Sequence, residues 1–142
     1  MKNPGKAIRD AYLSSLTGIT YGGSPITVYD DLPIETLPDN YVYINAIDEV
    51  QKGNNHIYDY TGVITLDIVV RQYKKVDRDT VDGIAEAVTN AIMPTINAHT
   101  LTNTDFYFIG VALESGRYLN GTDVDYHITR KILRFSQTLI QK

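Results

Sequence analysis

The chain has 142 residues, 13 basic and 17 acidic side chains, a net charge of −4 and no cysteine. A chain of that length is typical of one domain and can bury about two thirds of the surface its unfolded form exposes, while the missing thiols exclude disulfides, thiolate zinc sites and cysteine nucleophiles. The basic residues are dispersed, with the nearest thing to a cluster at Arg130, Lys131 and Arg134; a dedicated DNA or RNA reader would concentrate them, because counterion release drives its affinity.

The aromatic balance is unusual, with 11 Tyr, 3 Phe and no Trp. Tyr combines an apolar ring with a polar tip and suits surfaces that are wet in a monomer and buried on assembly, although half-exposed strands also use it freely. Apolar runs span only a few residues, far short of the roughly 20 that cross a bilayer. Arg9 and Asp10 interrupt the place where a leader would need an apolar stretch. The expectation is a soluble protein with no secretory leader and no membrane partner.

In chain order, Asn3 can cap a helix with Pro4 at its first position, where the missing N–H costs nothing. Ile8, Tyr12 and Leu16 recur every four residues, and Gly18 can stop the helix. A helix is expected over 4–17. Residues 19–21 and 26–29 read as two short strands of a small hairpin around Gly22-Gly23-Ser24, and 30–40, with Pro33 and Pro38, as a loop.

A strand over 41–50 and a turn-rich 52–56 lead to a long strand over 57–73. There Tyr60, Gly62, Ile64, Leu66, Ile68 and Val70 point one way, and Thr61, Thr65, Asp67 and Arg71 the other. Asp77 and Asp79 open a second helix over 77–93, with Val81, Ile84, Ala85, Val88, Ala91 and Ile92 as its stripe and Pro94 as its stop. After a polar, irregular 95–104, strands over 106–117 and 125–140 flank 118–124, where Asn120-Gly121 has the composition of a tight turn. The final strand alternates imperfectly, since Ile128 and Ile132 fall opposite Leu133 and Phe135, and a bulge would reconcile them. The order α-β-β-β-β-α-β-β predicts a single α+β domain: an antiparallel sheet of long hairpins with both helices on one face.

Catalytic constellations are weak. His56, His99 and His127 fall in two loops and near a strand start, without metal-ligand spacing. Asp77, Asp79 and Asp82 before Gly83 resemble a calcium loop, but position 88 is Val where a closing Glu belongs, and helix capping explains them better. Gly22-Gly23-Ser24 lacks the lysine of a phosphate loop. The pairs Asp30-Asp31 and Asp48-Glu49 point to opposite faces of a strand and cannot flank one bond. Asn120-Gly121-Thr122 also matches a glycosylation acceptor, but it is better explained as a turn. Neither an enzyme nor any cofactor is expected.

Several segments in sequence resemble the tail-completion, or tail-terminator, family of tailed bacteriophages. They are the helix 7–16, the passage Val28-Tyr29-Asp30-Asp31-Leu32-Pro33, the strand entry Leu37-Pro38-Asp39-Asn40-Tyr41-Val42-Tyr43-Ile44, the strand 65–73 leading to the helix 77–93, and Lys131-Ile132-Leu133-Arg134-Phe135 in the last strand. The resemblance spans nearly the whole chain and rests on order and pattern. It implies a virion structural protein that forms a homo-oligomeric ring, hexameric in that family, made in the host cytoplasm and placed where the tail meets the head. Its partners would be other copies of itself, the tail-tube protein and head-tail connector proteins, with DNA passing through the lumen without tight binding. The reach elements toward ring neighbours or the tube would be Lys52, Asn54, Asn55, His56 and Tyr58 in one hairpin loop, and Arg117, Tyr118, Asn120 and Asp123 near the other tip. Two alternatives stand beside this one. The first is another connector or neck adaptor ring. The second is a small nucleic-acid-binding α+β domain, for which Lys131, Leu133 and Phe135 would have to form an exposed basic and aromatic stripe.

Overall fold

A computed structural model describes residues 2–33, 36–52 and 59–142. The first helix, α1 (Pro4–Leu16), starts where Asn3 Oδ1 accepts the Lys6 N–H at 3.1 Å, and its stripe Ala7, Ile8, Ala11, Tyr12 and Leu16 is buried. Gly18, at φ 84°, turns the chain afterwards. Strands β1 (Thr20–Tyr21) and β2 (Ser24–Pro25) pair through a turn whose glycines, Gly22 and Gly23, sit at φ 59° and 81°. The small hairpin is therefore present, but it closes earlier than expected.

Beyond Ile26 the chain does not continue that hairpin. Strand β3 (Thr27–Tyr29) joins the main sheet and lies parallel to β4 (Asn40–Gln51), with Thr27 opposite Tyr41 and Tyr29 opposite Tyr43. Ile26 and Val28 have core to reach on the main sheet, which the two-residue hairpin strands could not offer. Strand β5 (Asp59–Tyr73), the helix α2 (Arg78–Ile92), β6 (Phe106–Asp123) and β7 (Tyr126–Gln141) complete the fold. The five-stranded sheet runs β3-β4-β5-β7-β6, antiparallel except for the β3–β4 pair. The expected α+β class is the one observed.

Helix α2 is capped as its sequence suggests: Asp77 Oδ1 accepts the Thr80 N–H at 3.0 Å, and Asp79 lies in the first turn. Its buried stripe is Val81, Ile84, Ala85, Val88 and Ile92. With α1 it covers the face formed by Ile64, Leu66, Ile68 and Val70 of β5 and by Leu133, Phe135 and Leu139 of β7. The Tyr12 ring packs tilted against Phe135, centroids 6.0 Å apart, and its hydroxyl donates a 2.5 Å hydrogen bond to Gln137 Oε1, a polar pair within a largely apolar core.

Two expectations about the last hairpin are corrected. Asn120 and Gly121 lie inside β6, opposite Thr129 and Ile128, and the turn is Val124-Asp125, with Val124 at φ 51°. Burial sets this register. The observed pairing places Phe108 opposite Leu139 with both in the core, whereas a turn at Asn120-Gly121 would put Leu139 opposite Thr102, in the preceding loop. Strand β7 carries no bulge and pairs with β5 without a break. The irregularities lie in β6, between Ile109/Ala112 and Leu113/Ser115, and in β4, between Ile44/Ala46. Ile128 and Ile132 point to the face away from the helices.

Candidate assembly surfaces

Alternation along five strands gives the sheet a second face opposite the helices. Its centre row reads Tyr43, Asp67, Ile132, Arg117 across β4, β5, β7 and β6, and the next row reads Tyr41, Val69, Arg130, Leu119. The Asp67 side chain is 4% exposed although it faces outward. Arg130 covers it: Nε lies 3.1 Å from each carboxylate oxygen, and Nη2 also reaches Oδ2. That bond to Asp67 outweighs burial and holds the Arg130 guanidinium above its usual range. Burial and the Asp67 charge both push the neighbouring Tyr41 phenol upward.

Around this pair, Leu32, Tyr41, Tyr43, Asn45, Val69 and Ile128 line a shallow depression, with Tyr29 edge-on to Tyr41 at 5.8 Å. Toward the hairpin tip the same face continues through Arg71, whose guanidinium lies 3.8 Å over the Tyr126 ring, and Tyr73, 5.4 Å from Tyr126. Toward the other end lie Tyr107 and Ile109, 59% and 49% exposed. Tyrosines and arginines gathered on one face have the composition of a protein-binding surface.

A second surface lies on the helix side. Helix α2 packs over β7 and β5, so the helix-facing side of β6 is left largely uncovered from Leu113 onward, beyond the buried Phe106 and Phe108. Leu113, Gly116 and Leu133 floor a groove there, and Asp82, Glu86, Thr89 and Asn90 form its wall. Tyr118 closes the groove, donating its hydroxyl to Asp82 Oδ1, while Lys131 Nζ lies 3.1 Å from the same oxygen and 3.3 Å from the Tyr118 hydroxyl. The Tyr118 bond is the main reason the Asp82 carboxyl sits below its usual range. Burial would depress the Lys131 ammonium, but its bonds to Asp82 and Tyr118 overcome that and hold it high.

The residues expected to make contacts are thus dispersed. Arg117 is exposed on the outer face, Tyr118 on the helix face is tied to α2, Asn120 lies mid-strand, and Asp123 pairs with Arg71 at 3.8 Å. The Lys52 N–H closes the β4–β5 hairpin on Asp59 O at 2.9 Å. Asn54, Asn55, His56 and Tyr58 fall outside the described residues. The outer-face cluster of Asp67, Arg130, Tyr41 and Tyr43 had not been anticipated, and its one legible signal was Asp67 inside an apolar strand.

Chemical alternatives find little here. His99 donates from Nε2 to Phe108 O at 3.1 Å and fastens the 95–104 loop to β6. Among the described residues, no group of three or more His, Asp or Glu side chains could hold a metal, and no helix is long and apolar enough to cross a membrane. Leu133 and Phe135 are buried and Lys131 is committed to Asp82 and Tyr118, so the stripe required of a nucleic-acid module does not form.

No protein-family model matches the chain, and no curated protein sequence matches it. Among solved structures, a chain from the virion of a native gene transfer agent particle shares the architecture end to end. The TM-score is 0.72 over 96% of each chain at 14% sequence identity. At that identity the likeness is one of fold.

Proposed function

We propose that the chain is a virion structural protein, one domain of the tail-completion kind, that acts by assembling into a closed ring where the tail meets the head. The observation that carries this reading is the end-to-end match of fold with a virion chain, 96% of both. A second feature supports it: an outer sheet face built of Tyr, Arg and Ile around a nearly buried Asp67, a surface whose composition suits contact with other protein. In such a protein the function is interface geometry, so the working parts are surfaces. Lys52, Arg117, Tyr118, Asn120 and Asp123, together with Asn54, Asn55, His56 and Tyr58, belong to the proposed contacts with ring neighbours or the tail tube. The net charge of −4 favours DNA passing through a lumen over DNA held there.

The test is the solution mass of the purified protein by light scattering across concentration, with negative-stain images, alone and with tail tubes. Closed rings of one size are the expected result. A strict monomer or dimer under every condition, tubes included, overturns the reading.

A further inference from the structure

The sheet is open at both sides, and its two edges differ in charge and in strand direction. One edge is β6, which pairs with β7 on one flank and has no strand partner on the other among the described residues. Arg117 on β6 and Arg134 on β7 both point to the outer face here, in neighbouring rows, and both are exposed. Unlike Arg130, each lacks a salt-bridge partner within 4.0 Å among the described residues. Glu114, at the bulge, is the only acid between Phe106 and Thr122.

The opposite edge is formed by β3 and, beyond its three paired residues, by the unpaired flank of β4. It carries Asp30 and Asp31 directly after β3, and Asp48 and Glu49 on β4, all exposed. Among the described residues Asp30 has one cationic neighbour within 4.0 Å, Arg9, at 4.0 Å. Asp48 shares the outer face with Val63 and Ser136. On the outer face the β6 side therefore presents two arginines without an ion-pair partner, Asp123 being taken up by Arg71, while the β3–β4 side presents carboxylates.

Strand direction fits the same pairing. Strand β6 is antiparallel to β7, β7 to β5 and β5 to β4, while β3 is parallel to β4. Hence β6 runs antiparallel to both strands of the far edge. A second copy placed alongside in the same orientation would meet this one antiparallel, the favoured sense of strand pairing.

We infer that copies of this chain join head to tail, the β6 edge of one against the β3–β4 edge of the next, with Arg117 and Arg134 facing Asp31 and Asp48 of the neighbour. Such a contact uses two different patches, so it does not stop at two subunits. It closes into a ring if the rotation per copy allows and otherwise extends. The inference rests on the assembly reading above and adds which edges touch. The bulges in β6 and the short β3 keep the edges from pairing indiscriminately, so that charge sets the partner.

The experiment compares three proteins by light scattering in low salt: the unaltered chain, the β6-edge variant R117E/R134E, and the β4-edge variant D31K/D48K. Circular dichroism first checks that each variant is folded. Each variant alone should assemble at least about tenfold less readily, since like charges then face each other. Mixed one to one, they should recover, because every contact in an alternating assembly pairs unlike charges again. If the unaltered chain assembles and both variants assemble as well as it does, or if the mixture fails to recover, the edge contact is wrong and the ring reading stands. A discrete dimer, or no assembly of the unaltered chain even with tail tubes, overturns both.

Discussion

Asp67 and Arg130 should respond unequally to the loss of a partner, and the difference follows from their exposures of 4% and 37%. Arg130→Leu leaves a carboxylate buried among Tyr41, Tyr43 and Val69 with no counter-charge. Breaking a buried pair in this way costs about 3–5 kcal/mol, and the exposed rim of the site puts the value near the low end, at about 3 kcal/mol. Asp67→Leu leaves a guanidinium that can swing into water, and about 1 kcal/mol is expected. The double replacement removes both desolvation penalties and fills the centre of the face with apolar groups, so it should return to within about 1 kcal/mol of the unaltered protein. Urea unfolding of dilute, unassembled protein reads all three. With an m-value of about 1.5–2 kcal/mol/M, Arg130→Leu should lower the midpoint by roughly 1.5–2 M. Equal losses for the two single variants, or a double variant no better than Arg130→Leu, would refute the argument that Asp67 is the costly partner.

Four further outcomes follow from the core, the turn and the strands. Burial pushes the Tyr12 phenol above its usual 10.0, so above about pH 10 the folded chain keeps a proton that the unfolded chain loses. Stability should then fall as pH rises, by up to about 1.4 kcal/mol per pH unit. Tyr12→Phe should remove that share of the alkaline slope while costing about 1–3 kcal/mol at pH 7, because Gln137, whose Nε2 has no partner among the described residues, loses its Oε1 partner too; unfolding curves between pH 7 and 11 measure both. Gly62→Ala would bring a methyl within 2.5 Å of Ile8 Cδ1 and 3.1 Å of Gln137 Nε2. The overpacking should cost about 1–3 kcal/mol, read as a lower Tm and largely relieved by Ile8→Val. Val124→Gly should raise stability by about 1 kcal/mol, since a β-branched residue sits at φ 51°. Gly121→Val should be neutral or stabilising, because position 121 is strand with open space around it; a loss of more than 1 kcal/mol would argue for a turn there.

The legible parts of this fold were those where one physical signal acted alone. Both helices combine a capping residue with an apolar stripe at 3.6-residue spacing, and both are found within a residue or so of their expected bounds. Strand β5 buries the face expected of it, with Asp67 and Val69 of the opposite face buried as well. The errors arose where a local signal competed with a distant one. Asn120-Gly121 has the chemistry of a turn, yet the burial of Phe108 and Leu139 outweighs a preference worth at most about 1 kcal/mol and moves the turn to Val124-Asp125. Residues 27–29 looked like the return arm of a small hairpin because parallel pairing with β4 leaves no local mark. The Asp67–Arg130 pair spans 63 positions, and no spacing rule reaches that far.

The irregular alternation of β7 is the feature that connects sequence, fold and assembly. With one face buried and the other in water, Ile128 and Ile132 look misplaced, and a bulge seems needed to bring them inside. The strand is unbroken, and these isoleucines lie with Arg130 and Arg134 on the face that no helix covers. A central strand with apolar residues on both faces is the pattern of a sheet covered on both sides. Within one copy α1 and α2 cover one face, and the other is only patched by Leu32 and by the crowding of its own tyrosines. The sequence of β7 is therefore consistent with itself once a second layer or a neighbouring copy is counted as part of its environment. For a protein proposed to work as part of a ring, that incomplete burial in the single chain is what its assembly would complete.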